Sequence, residues 1–204
     1  MDQIPAGSTR PGAELNDAAA SVSGNAAAST AGSEAFDAVR AVWPERLPLT
    51  MRIGATDFHP DSHTLDDSVA LVRTLAPHGL DLVDISMGMN TESGAAVPWG
   101  DRGFMVPAAA KIRAEAGVPA AVSWNLGDPA YADEIIRDGK VDLLMVGRPT
   151  LAHPHWPLYA AMVLGERDPF DMLPNQYRHF LNKSKDVAHI SGFGPINRDR
   201  TPAS

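Results

Sequence analysis

The sequence predicts an α/β fold built from successive parallel strand–helix units. Three observations carry that reading. Four short runs, LTMRIGA (Leu49–Ala55), DLVDIS (Asp81–Ser86), VPAAVSW (Val118–Trp124) and DLLMVG (Asp142–Gly147), have strand length and apolar side chains on both faces. Strands of that kind belong to parallel sheets covered by helices. Stretches of helical spacing separate them, and glycines stand just past the helix ends, where a left-handed stop suits glycine best.

Each element has its own justification. AFDAVRAVW (Ala35–Trp43) puts Phe36, Val39 and Val42 on one helical face, and Pro44 and Pro48 close it. Strand Leu49–Ala55 follows. Asp66–Leu75 is helical and stops at His78-Gly79-Leu80. Strand Asp81–Ser86 leads into a glycine-bearing loop from Met87 to Gly103. Val106–Ala116 is a helix ended by Gly117, and strand Val118–Trp124 comes next. Pro129 opens a helix, where its missing N–H is harmless, and Gly139 ends that helix near Asp138. The fourth strand, Asp142–Gly147, precedes a helix from about His155 to Leu164.

The first 34 residues are rich in Ala, Ser and Gly and almost lack large apolar side chains. Such a segment buries too little surface to offset its ordering entropy, so 1–34 reads as a disordered tail, with a transient alanine-rich helix around Ala18–Ala28. Residues 35–182 form the folded part and 183–204 a C-terminal tail.

Composition narrows the function classes. The 204 residues carry a net charge of −8 and 44% are hydrophobic; the pI is about 5.2. Nucleic acid and anionic membrane surfaces are poor partners for an acidic chain. There is no cysteine, which excludes disulfides, thiolate metal sites and a cysteine nucleophile. No run has the length of a bilayer span, and no signal peptide is visible, so a cytoplasmic location is expected.

Chemistry concentrates in VDLLMVGRPTLAHPHW (Val141–Trp156). A strand ending in Gly147-Arg148 at a helix start suits an anion: glycine permits close backbone approach and arginine adds a fork of donors. The plain alternative is a capping glycine beside a surface arginine. His153 and His155, and His59 and His63, lack an acidic partner at ligand spacing, so no metal is expected. Ser86 has no nucleophile-elbow context, which argues against a hydrolase. The strand–helix repeat suits either a doubly wound sheet or a (β/α)8 barrel. The absence of G-x-G-x-x-G after the first strand weighs against a dinucleotide fold, and a phosphate site late in the chain suits the barrel. A full barrel takes about 250 residues, whereas about 170 follow the tail.

Several motifs in order, FDAVRAVWPERLPLTMRIGATDF, LDDSVALVRTLAPHGLDLVDISMG, VPWG, AEAGVPAAVSWNLGDP, VDLLMVGRPTLAHPHWP and LPNQYRHFL, resemble the old yellow enzyme family of FMN-dependent oxidoreductases, in the branch of xenobiotic reductase A-like ene-reductases. The likeness runs from about Phe36 to Leu181. It implies the C-terminal half of a TIM (β/α)8 barrel, an FMN cofactor, NADPH or NADH as reductant and an enone or related electrophile as substrate. Arg52 then sits beside the flavin pyrimidine ring, where a cation stabilises reduced flavin. Ser123, Trp124 and Asn125 fall in the loop after the family's seventh strand, which holds the phosphate; Trp124 also lines the substrate pocket. Asn125 stands where the family usually has glycine, and Asn tolerates left-handed backbone. Gly127 is retained. Gly147 and Arg148 match the final phosphate-binding pair. Tyr177 and Phe180 match a C-terminal piece that reaches a neighbouring subunit's substrate pocket.

The substrate-oxygen donor pair and proton-donating tyrosine belong to the family's first barrel half, so no catalytic residue is assigned in this chain. A half barrel leaves open strand edges and an uncovered inner face. It is expected to form a homo-oligomer, to pair with a complementary half barrel, or to be poorly soluble alone. Two other readings stand beside a truncated oxidoreductase: a non-catalytic FMN- or phosphate-binding half-barrel remnant, and a small α/β phosphate-sugar enzyme.

Overall fold

The computed structural model describes residues 25–59, 62–88, 96–166 and 168–184, apart from the side chains of 25–29 and 184. The expected N-terminal tail as far as residue 24, part of the glycine-bearing loop (89–95) and the C-terminal tail beyond residue 184 lie outside the described residues.

The elements, in order, are α1 (Asn25–Arg40), β1 (Thr50–Gly54), α2 (Leu65–Leu75), β2 (Leu82–Ser86), α3 (Val106–Ala116), β3 (Ala120–Val122), α4 (Pro129–Arg137), β4 (Leu143–Leu144), α5 (Arg148–Ala152), α6 (Trp156–Val163) and α7 (Asn175–Ser184), with short 3-10 turns at Ala76–His78 and Pro169–Met172. The four strands form one sheet in the order β1-β2-β3-β4, and every neighbouring pair is parallel. Four parallel strands alternating with helices make half of a (β/α)8 barrel, as expected.

The register sorts the side chains onto two faces. Arg52 pairs with Asp84, Asp84 with Ala121, and Ala121 with Leu143, so these residues share one face. The opposite face carries Ile53, Val83, Ile85, Ala120 and Val122, all buried with Val72 and Leu75 of α2, Ile112 of α3 and Ile135 of α4. Each such large apolar side chain contributes about 1.5–3 kcal/mol by leaving water. The helices therefore cover one side of the sheet, while Leu143 and Met145 stay about half exposed on the other.

Paired local devices hold the strand starts together. Asp81 accepts from the Leu49 N–H at 2.7 Å and returns its own N–H to the Leu49 carbonyl at 3.0 Å. Asp142 repeats this on Ala120, with both bonds at 2.9 Å. Helix α2 opens on a capping box: Thr64 accepts from the Asp67 N–H, and the Asp67 carboxylate accepts from the Thr64 N–H. The chain leaves α2 through Gly79 at φ 91.

The structure moves several expected boundaries. Helix α1 begins at Asn25, so the boundary drawn at residue 34 lies inside a helix, and the expected disorder does not extend over 25–34. The face expected from Phe36, Val39 and Val42 is not buried as a stripe. Phe36 is buried, but the helix stops at Arg40, leaving Val39 half exposed and Val42 exposed. The third and fourth strands shorten to Ala120–Val122 and Leu143–Leu144. The helix expected from His155 is observed as Trp156–Val163, preceded by the short α5.

Candidate functional site

The carboxyl ends of the strands meet in one cleft. Arg52, on β1, projects from the helix-free face and forms an ion pair with Asp84 of β2 at 3.0 Å. Its other terminal nitrogen donates to the Ser86 hydroxyl at 3.1 Å and to the Ser123 hydroxyl at 3.4 Å. Asp84 is buried, and its Oδ1 has no hydrogen-bond partner among the described residues. Arg52 remains about half exposed (54%), so its guanidinium is oriented from behind while still facing solvent.

After β3 the backbone turns sharply. Trp124 and Asn125 both take left-handed geometry, at φ 80 and φ 52. For Asn this is mild; for a bulky Trp it is a rare state that the surroundings must enforce. Here the Trp124 indole N–H donates to Ser86 at 3.0 Å, and its ring packs edge-on to Trp99 at 5.5 Å and tilted against Phe104 at 5.9 Å. The Asn125 amide group donates to the carbonyls of Trp99 and Asp101, and its Oδ1 accepts from Arg148 at 3.3 Å. Arg148 also lies 5.2 Å from the Trp124 ring centre, within cation–π range.

The turns after β3 and β4 are joined. Gly127 lies so close to Pro149 that a Cβ there would stand 2.6 Å from the proline ring, and its carbonyl accepts from the Trp156 indole at 2.9 Å. A side chain at Gly147, in contrast, would enter open space.

Between these groups lies a cavity of about 170 Å³, lined by Arg52, Ser123, Trp124, Asn125, Gly147 and Arg148 together with Leu126, Met145, Val146 and Pro149. All six residues singled out from the sequence as flavin-side contacts thus meet at one place, although they lie on three separate strand ends. Tyr177 and Phe180 do not join them. Both are exposed, at 65% and 70%, on α7, and neither lines the cavity. The histidines go elsewhere: His63 bonds the Gly54 carbonyl through its ring, and His153 packs on Tyr159. Among the described residues no group of three or more His, Asp or Glu could hold a metal ion. Among them, too, no helix is long and apolar enough to cross a membrane.

Asp84 and Ser86 escaped the sequence reading as site residues. Their signal was the alternation in LVDIS, which places both on the face of β2 that Arg52 occupies on β1. That becomes legible once the register is known.

An open-faced parallel half barrel with two arginines at its strand ends is an arrangement in which α/β barrels commonly place phosphate-bearing ligands. No family model matches the chain. Two curated relatives match over 135 residues, which is 65% of this chain and 37% of each relative. One is an NADPH dehydrogenase of Geobacillus thermodenitrificans (strain NG80-2), at 42% identity. The other is an NADPH dehydrogenase of Geobacillus sp. (strain WCH70), at 39%. The strand–helix part of the chain is related to NADPH dehydrogenases of the old yellow enzyme family, as the motifs indicated. The chain spans little more than a third of these relatives' length. The fold also matches a solved 2-naphthoyl-CoA reductase in complex with 2-naphthoyl-CoA. That match has a TM-score of 0.56 and 24% identity, and it covers 67% of this chain and 20% of that one.

Proposed function

We propose that this chain is the FMN-binding half of an NAD(P)H-dependent oxidoreductase of the ene-reductase type. The observation that carries the reading is the convergence of Arg52, Ser123, Trp124, Asn125, Gly147 and Arg148 on one cavity. The donor set suits FMN. Arg148 and the uncrowded backbone at Gly147 would hold the phosphate, because an anion can approach a glycine backbone closely and arginine offers paired donors. Arg52 would face the pyrimidine edge, kept in place by Asp84 and Ser86. When bound, FMN supplies hydride transfer from NADPH or NADH to an activated C=C bond. The chain's own residues orient the cofactor, set positive charge beside it and, through Trp124, cover one side.

A second reading is a flavin- or phosphate-binding half barrel without turnover. The cavity's size favours it: about 170 Å³ is below the roughly 300–1,000 Å³ of ordinary ligand pockets, so further walls are needed to enclose a flavin and an enone. Those walls would come from a second copy or from a complementary half barrel seated on the helix-free face. In both readings the net charge of −8 disfavours nucleic acid and anionic membrane surfaces as partners. Tyr177 and Phe180, exposed on α7, would reach a neighbouring subunit's pocket.

Titration of the purified chain with FMN and with riboflavin, followed by flavin absorbance near about 450 nm, tests the proposal. Saturable binding that prefers FMN is expected, and a folded chain that ignores FMN overturns it. NADPH oxidation with an α,β-unsaturated ketone then separates the two readings, since flavin binding without turnover supports the second.

A further inference from the structure

Asn125, where the family resemblance leads one to expect glycine, has a fully engaged side chain. Its amide nitrogen donates at 2.8 Å to the Trp99 carbonyl and at 3.0 Å to the Asp101 carbonyl, and its Oδ1 accepts from Arg148 Nη2 at 3.3 Å. The assignment is self-consistent, because the donor end faces two carbonyls and the acceptor end a guanidinium. Its backbone carbonyl in turn accepts from the Gly103 N–H at 3.2 Å. One residue in left-handed geometry therefore links the turn after β3, the 99–103 segment and the arginine after β4.

We propose that Asn125 is a positioning residue that presents the Arg148 guanidinium to the phosphate of the bound nucleotide. The inference rests on the FMN reading and extends it to a residue whose type departs from the family pattern. A free arginine side chain samples many rotamers, and holding it in one lowers the ordering cost of each bond it makes to an anion. Arg148 is held on two sides, by the Asn125 oxygen and by the Trp124 ring at 5.2 Å. A glycine at 125 would keep the backbone geometry and lose all three side-chain bonds. The asparagine therefore adds orientation beyond satisfying the turn.

The test is the ratio of FMN to riboflavin affinity, because riboflavin lacks the phosphate. Asn125→Gly, whose left-handed backbone is unstrained, is expected to weaken FMN about tenfold while changing riboflavin about twofold or less. Asn125→Asp sets a carboxylate against the two carbonyls and a negative charge beside the phosphate, and is expected to lower the same ratio further. In an Arg148→Gln background, Asn125→Gly is expected to leave the ratio unchanged, the non-additivity of residues acting as a unit. Should both ligands weaken together, or the ratio still fall in the Arg148→Gln background, Asn125 merely tethers the turn and the inference is overturned. Should the unaltered, folded chain bind neither ligand, the FMN reading fails first and takes the inference with it.

Discussion

Arg52 is costly in an apolar strand unless something answers its charge, and Asp84 does so from the adjacent strand at 3.0 Å. The dependence is mutual. Asp84 is only 8% exposed and already has one oxygen without a partner among the described residues. Arg52→Met is therefore expected to destabilise the fold by about 1–3 kcal/mol, the cost of leaving a buried polar group unanswered. Adding Asp84→Asn should recover part of that loss. Denaturant midpoints of the two variants check this, and an Arg52→Met chain as stable as the parent would show that the pair contributes nothing. At this scale the sequence was informative about chemistry and silent about partners. Arg52, Asn125 and Arg148 were recognisable from residue type and motif. That Ser86 accepts from Arg52 and Trp124 was not, because a serine's role depends on its neighbours across the sheet.

Helix ends and strand identities were legible because they rest on local rules. Gly79 and Gly117 take left-handed geometry, and Asp128 caps α4 just before Pro129. Features set by tertiary contact were not. The part of α1 before residue 35 looked too poor in apolar residues to order, yet the helix packs against α2, with Phe36 buried and Gly32 close to Leu71. Strand β3 ends early because Trp124 and Asn125 turn left-handed. Strand β4 is limited to Leu143–Leu144, which pair with Ala121 and Val122 of the shortened β3. The junction of α3 and β4 carries a pH dependence. The Arg113 guanidinium, bonded to Asp142 at 2.8 and 3.0 Å, holds that carboxyl below its ordinary 3.8, assisted by the Ala120 N–H and opposed by burial. The unfolded chain thus binds this proton more tightly, so the pair's contribution is present above about pH 4 and fades as the pH falls below that. Asp142→Asn is expected to flatten the acid limb of a stability-against-pH curve while lowering stability at neutral pH. An unchanged acid limb would remove Asp142 as its cause.

For the molecule as a whole, the decisive feature is a sheet with helices on one side only. Leu143 and Met145 face outward on the other side, and β1 and β4 each offer an unpaired edge among the described strands. Exposed apolar surface beside open edges favours association. The chain alone is expected to run above its monomer mass of 21.7 kDa in size-exclusion chromatography with light scattering, and a clean, stable monomer would count against a shared barrel. Gly127 carries a different consequence. Wedged against Pro149 and bonded to the Trp156 indole, it makes the two turns that face the cavity a single mechanical part. Because the Trp156 bond ties the start of α6 to the turn after β3, the two turns are expected to open together. The amide protons of both turns are therefore expected to exchange with deuterium at a common rate, and on the proposed FMN reading both are expected to slow together when FMN is added.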